Sequence, residues 1–113
     1  MNTLFSIIHP VRDLDAAKAI HIALLGTKPH TDQPYYVGFN VGGVELGLDP
    51  QGHQKGLTAP VPYIRVADLD GALTEVQKAG ATLAGEPQDV GGGTRIATVT
   101  DADGNTLGLI QGG

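Results

Sequence analysis

The sequence holds no cysteine, which excludes disulfides, thiolate metal sites and a cysteine nucleophile. It holds no tryptophan and only two Phe and three Tyr, so any aromatic cage is small. Basic residues are scarce: seven Lys and Arg stand against twelve Asp and Glu, a formal charge of -5. No Lys/Arg cluster appears, and nucleic acid is an unexpected partner. No apolar run approaches the roughly 20 residues of a membrane span, so no membrane partner is expected either. The N-terminus lacks a basic region and a cleavage site and reads as a strand, and with no cysteine the expected location is cytoplasmic. What the chain has in plenty is glycine, 17 in 113 residues, concentrated at Gly42-Gly43, Gly91–Gly93 and turns such as Asp103-Gly104. With 41% hydrophobic residues this points to one packed, β-rich domain with tight hairpins.

The chain also repeats itself. Val11-Arg12-Asp13-Leu14-Asp15-Ala16-Ala17 recurs as Val66-Ala67-Asp68-Leu69-Asp70-Gly71-Ala72. Each copy opens an amphipathic segment that stops at a glycine, Gly26 and Gly80. Leu46-Gly47-Leu48 recurs as Leu107-Gly108-Leu109. A repeat of half the chain implies two copies of one supersecondary unit that pair to bury their apolar faces, leaving a pseudo-symmetric cleft.

Alternation predicts a strand over 4–11, and Asp13 is a suitable N-cap for a helix ending at Gly26. Residues 27–33 are irregular, with a short edge strand carrying Pro29. Residues 35–41 and 44–49 form a hairpin around Gly42-Gly43. The polar stretch 51–60 is a linker between module one (about 1–50) and module two (about 61–113). In module two a strand over 61–66 precedes the stripe Leu69, Ala72, Leu73, Val76, Ala79. Strands over 82–87, 94–100 and 106–111 follow. The expected order is βαβββ, twice, an α+β single domain.

Strand parity divides the faces. Val44, Leu46 and Leu48 belong under a helix, and Glu45, Gly47 and Asp49 face the cleft. By the same reasoning Ser6, Ile8, Val61, Tyr63, Arg65, Thr106 and Gly108 face the cleft, and these ten residues are the candidate ligand-binding set. Glu45 and Tyr63 are the catalytic candidates. Arg65 suits a carboxylate or phosphate, or an ion pair with Glu45 or Asp49. His9 and His21 read as packing histidines, His30 and His53 as solvated. Tyr35, Tyr36 and Phe39 are candidate stacking surfaces whose orientation a one-residue register shift would reverse. Asp101-x-Asp103-x-Asn105 has calcium-like spacing but Thr106 and Gly112 where such a loop needs Gly and Glu, so it reads as a hairpin turn. Gly91–Gly93 precedes a strand and is no phosphate loop.

The V-x-D-L-D before each helix, the Leu24-Leu25-Gly26 helix end and Asp101-Ala-Asp-Gly-Asn-Thr-Leu-Gly-Leu109 resemble the vicinal oxygen chelate superfamily, the glyoxalase, bleomycin-resistance and extradiol-dioxygenase group. The resemblance implies the glyoxalase/bleomycin-resistance fold, two βαβββ modules around a cleft, and a homodimer. It also implies four metal-ligand positions, which here are Ser6, Gly47, Val61 and Gly108. None of these is a competent catalytic-metal ligand, so the expectation is no metal and no cofactor. The leading functional expectation is a metal-independent small-molecule binding protein. The alternatives are an enzyme (lyase, isomerase or dioxygenase) with unorthodox or metal-free chemistry, and a dimeric scaffold with a vestigial cleft.

Overall fold

A computed structural model describes residues 1–112. The chain forms two compact units: Ser6–Val61, and Met1–Phe5 together with the chain from Pro62 onward. Eight strands and two helices follow the order β1 (Thr3–Pro10), α1 (Leu14–Leu25), β2 (Thr31–Gln33), β3 (Tyr36–Val41), β4 (Val44–Asp49), β5 (Val61–Arg65), α2 (Leu69–Lys78), β6 (Thr82–Asp89), β7 (Arg95–Thr100) and β8 (Thr106–Gln111). The protein is α+β, a βαβββ module repeated, as the sequence repeat implies. Among the described residues no helix is long and apolar enough to cross a membrane.

The two modules share one topology. Within the first the strand order is β2-β3-β4-β1, and within the second β6-β7-β8-β5. In each, the strand before the helix runs parallel to the last strand, Ser6↔Glu45 through Pro10↔Asp49 and Tyr63↔Gly108 through Arg65↔Ile110. The other pairs are antiparallel. The helix starts follow from their caps: Asp13 Oδ1 accepts from Ala16 N at 3.0 Å, and Asp68 Oδ1 from Gly71 N at 3.2 Å. Gly26 ends α1 at φ 70°, where a side chain would be strained, and its N–H donates to the Ile22 carbonyl.

Each module has its own core. Val37, Phe39 and Leu48 are fully buried and covered by Leu14, Ala17, Ile22 and Leu25 of α1. Val66, Leu69, Leu73, Ala97, Val99 and Leu109 form the second. Three expectations shift. The edge strand starts at Thr31, after Pro29, because proline offers no ladder donor; the first N–H bonded toward β3 is that of His30, to the Gly38 carbonyl at 2.9 Å. Residues 51–60, expected to be irregular, carry a 3-10 turn at His53–Lys55. His53, expected to be solvated, is half-buried there, with its Nδ1 shielded from solvent.

Under α1, the His9 ring meets His21 edge-on at 5.5 Å, and His21 stacks on Phe39 at 6.0 Å. The His21 ring donates through Nδ1 to the Ala17 carbonyl at 2.8 Å. Burial, and secondarily the neighbouring His21, holds the His9 imidazole below its ordinary pKa. The unfolded chain therefore binds the His9 proton more readily than the folded one, and acidification favours unfolding. Stability should be level above the ordinary histidine pKa and fall as pH drops below it. His9→Phe should flatten that part of the urea-midpoint profile; an unchanged slope would show that other groups carry the acid sensitivity.

Candidate functional site

The register settles the orientation of the aromatic residues on β3. Val37 and Phe39 point to the helix, so Tyr36 and Gly38 share the helix-free face with Glu45 and Gly47, through the pairs Gly38↔Gly47 and Asn40↔Glu45. Tyr35, just before the strand, is exposed. On this face three titratable side chains meet. The Tyr36 hydroxyl donates to Glu45 Oε2 in a short hydrogen bond, and His30 Nε2 donates to Glu45 Oε1 at 2.6 Å. The other ring nitrogen of His30 lies 2.8 Å from the Thr31 hydroxyl. A carboxylate only accepts, so its two oxygens fix which groups donate.

Two glycines make room for this arrangement. A Cβ at Gly38 would lie 2.5 Å from Glu45 Oε2 and 3.1 Å from His30 Cε1. A Cβ at Gly47 would lie 2.7 Å from Tyr36 Cε1 and 2.8 Å from Ile8 Cδ1, so the Tyr36 ring and Ile8 cover the bare backbone there. Ser6, beside Glu45 in register, is buried. Burial first, then the hydrogen bond to Glu45 and the charges of Glu45 and Asp49, raise the Tyr36 pKa far above its ordinary value. Tyr36 is thus a persistent donor, and Glu45 is the acceptor of the group.

Asp49 has a different occupation. Its Oδ1 accepts from Gln51 N and its Oδ2 from Lys55 Nζ, both at 2.9 Å. It is buried and ties down the turn at 51–56. Asp49→Ala should cost about 1 kcal/mol and speed amide exchange at Gln51 and Gly52. Unchanged exchange there would mean that the backbone bonds alone hold the turn.

In the second unit Tyr63 lies directly over Gly108, with its Cγ 2.7 Å from where a Cβ would stand. Arg65 lies 4.4 Å above the Phe5 ring, a cation–π contact. Arg65 also borders a surface hollow of about 340 Å³ with Asn2, Thr3, Ala67 and Gln111. Thr106 pairs with Thr100 at the far end of β8. Val61 is buried. The calcium-like segment is a turn: Asp101 Oδ1 accepts from the N–H groups of Asp103 and Asn105 at 3.0 and 2.9 Å.

The structure therefore joins Glu45 and Gly47 of the candidate set with Ile8 and Ser6, and Tyr63 with Gly108. It gives Asp49 to the 51–56 turn. His30 and Tyr36 enter the site although the sequence reading left His30 solvated and Tyr36 unoriented. The available signal was the short alternation Tyr36-x-Gly38 against Glu45-x-Gly47, two glycine-containing faces in one hairpin.

Two copies of a βαβββ module, each with a helix on one sheet face and its polar groups on the other, define an α+β protein of the duplicated-module class. The family model described as Glyoxalase/Bleomycin resistance protein/Dioxygenase superfamily matches residues 3–109, and the chain belongs to that superfamily. No protein of curated function matches it significantly. Among solved structures it is similar to a Vibrio splendidus member of the same superfamily, at 15% identity and TM-score 0.74, covering 99% of this chain and 100% of that one. It is also similar to a Legionella pneumophila protein described as an NAD-dependent benzaldehyde dehydrogenase, at 16% identity and TM-score 0.76, covering 94% and 96%. A third is methylmalonyl-CoA epimerase from Mycobacterium tuberculosis, at 20% identity and TM-score 0.64, covering 98% and 88%. At these identities the likeness is one of fold, and chemistry must be argued from the residues.

Proposed function

We propose that this chain is a metal-independent small-molecule binding protein of its superfamily, taking its ligand on the helix-free sheet faces. The observation that carries the reading is the pair of tyrosines laid over glycines, Tyr36 over Gly47 and Tyr63 over Gly108. These glycines hold two of the positions where the resemblance implies metal ligands, and the other two are Ser6 and Val61. The residues do not fit a divalent cation. Two have no side chain, one is apolar, the serine is a weak donor, and aromatic rings fill the space an added carboxylate would need. Among the described residues no three His, Asp or Glu side chains form a group able to hold a metal.

What the faces offer instead is aromatic surface and directed hydrogen bonding. In the first unit the Tyr36 ring and the Glu45 acceptor suit a partly planar ligand with a donor group; in the second the Tyr63 ring and the Arg65 cation suit one with an acceptor group. Native mass spectrometry of the protein as purified tests the reading, since it weighs metal and organic ligand together. A metal-free protein carrying an organic ligand, or acquiring one in a metabolite screen, supports it. A stoichiometric divalent metal whose removal abolishes a catalytic activity overturns it.

One observation favours a second reading, a metal-free proton-transfer enzyme. Glu45 is held between two donors, His30 and Tyr36, as a positioned general base would be. Glu45→Gln separates the readings. A variant that binds a substrate but no longer turns it over supports the enzyme, and unchanged turnover sinks Glu45 as its base.

A further inference from the structure

We infer that His30 and Glu45 make Thr31 a nucleophile, and that the first unit cleaves activated esters through an acyl-threonine. The inference rests on the first-unit face taking the ligand, as proposed above, and adds a covalent step to it. The Thr31 hydroxyl oxygen lies 2.8 Å from His30 Nδ1, and His30 Nε2 lies 2.6 Å from Glu45 Oε1. A carboxylate only accepts, so Nε2 carries the ring hydrogen and Nδ1 of the neutral ring carries a lone pair. The Thr31 hydroxyl is therefore the donor of its bond. A hydroxyl donating to an imidazole whose far nitrogen is held by a carboxylate is the arrangement that activates an alcohol for attack. Geometry and roles define it, not residue order.

The fold holds the three groups from both sides of β2. On the helix side Lys18 Nζ donates to both oxygens of Asp32, at 3.1 and 3.2 Å. On the helix-free side Thr31 pairs with Gly38. A Cβ at Gly38 would lie 3.1 Å from His30 Cε1 and 2.5 Å from Glu45 Oε2, so the glycine lets imidazole and carboxylate meet. Thr31 is half-buried and the His30 side chain 46% exposed, open to a substrate.

The chemistry sets the substrate class. Thr31 Oγ1 attacks the ester carbonyl carbon as its proton passes to His30 Nδ1. The tetrahedral species collapses by breaking the bond to the leaving group, which departs with that proton. Water then attacks the acyl-threonine and gives a proton to the same nitrogen. The Oγ1–carbon bond breaks, the threonine hydroxyl recovers the proton and the acid leaves. Glu45 stabilises the imidazolium in both halves. The donors around Thr31, those of Lys18, His30 and Tyr36, are engaged with carboxylates. None is turned to a tetrahedral oxyanion, so a good leaving group is required. That selects aryl esters and thioesters over alkyl esters and amides, and the Tyr36 ring offers an aryl group a stacking surface.

The full chain with p-nitrophenyl acetate tests the inference. Wild type should release p-nitrophenol roughly a hundredfold faster than Thr31→Val, a variant of equal shape, and Thr31→Ser should retain the activity. Peptide mass spectrometry after a short incubation should place an acetyl group on Thr31, and His30→Gln should abolish it. A wild-type rate equal to that of Thr31→Val, or acetyl groups found only on other residues, overturns the inference. p-Nitroacetophenone, the ketone without the leaving oxygen, keeps that failure apart from failure of the binding reading. If it shifts the Tyr36 ring resonances while Thr31 stays unacetylated, the covalent step alone falls; if it shifts nothing and Thr31 stays unacetylated, both fall.

Discussion

Gly108→Glu, which puts a carboxylate at the superfamily's ligand position, is expected to destabilise the protein by about 3 kcal/mol. For a chain of this length that lowers the melting temperature by roughly 12 °C. The cause is the Tyr63 ring, whose root, Cγ, stands 2.7 Å from the new Cβ. A ring near its own backbone cannot swing aside, so β5 or β8 must move. Gly47→Glu should cost less, about 1–2 kcal/mol, because the atoms met there are the outer ring of Tyr36 and the tip of Ile8, which can give way. The sign of the alanine variants is equally informative. Glycine within a strand is destabilising, so alanine at a position with open space above it would stabilise. Gly108→Ala should instead destabilise, and Tyr63→Ala in the same chain should relieve it. A double-mutant cycle reads that coupling directly. If Gly108→Ala raises the melting temperature, the ring does not occupy that space in solution and does not bar a metal ligand there. Neither Glu variant should take up a divalent metal, since one carboxylate in each module supplies too few donors.

Much of this was legible in the sequence because the signals were local. Asp13 and Asp68 mark the helix starts, Gly26 marks an end, and Gly42-Gly43 marks the hairpin, each through the backbone chemistry of a single turn. The repeat then supplied the topology, because two like modules with like patterning fold alike. The faces of β4 followed from parity alone, which put Glu45 with Gly47 and away from Leu46 and Leu48. The remainder depended on non-local register. Whether Tyr36 or Tyr35 shares a face with Glu45 turns on one residue of strand offset, and the pairing Gly38↔Gly47 decides it. His30 lies 15 residues from Glu45 in sequence, so only the return of β2 alongside β3 brings them together. Asp49 shares strand parity with Glu45 but lies at the strand end, where backbone N–H groups of the next turn compete for its carboxylate. Parity assigns a face; it does not say which neighbour claims the side chain.

Glu45→Ala should have the largest effect on ligand binding of any single change on the first module. It removes the acceptor of two hydrogen bonds at once and leaves the half-buried Tyr36 hydroxyl without its partner. Hydrogen bonds to a charged group contribute about 1.5–3 kcal/mol, so affinity should fall by at least about tenfold. Stability should fall too, by about 1–3 kcal/mol, the cost of an unsatisfied buried donor. The Tyr36 pKa gives a second readout of the same contact. Burial is the largest single cause of its elevation, and Glu45 adds to it through the hydrogen bond and the negative charge. Without Glu45 it should descend toward the ordinary tyrosine value yet remain above it, as followed by phenolate absorbance during an alkaline titration. Tyr36→Phe isolates the other half of the pair. It keeps the ring over Gly47 and removes only the donor, so ligands held by stacking should survive it and ligands held through the hydroxyl should not. If Glu45→Ala leaves both the Tyr36 titration and ligand affinity unchanged, the group of His30, Glu45 and Tyr36 is a surface network, and the binding site must be sought around Tyr63 and Arg65.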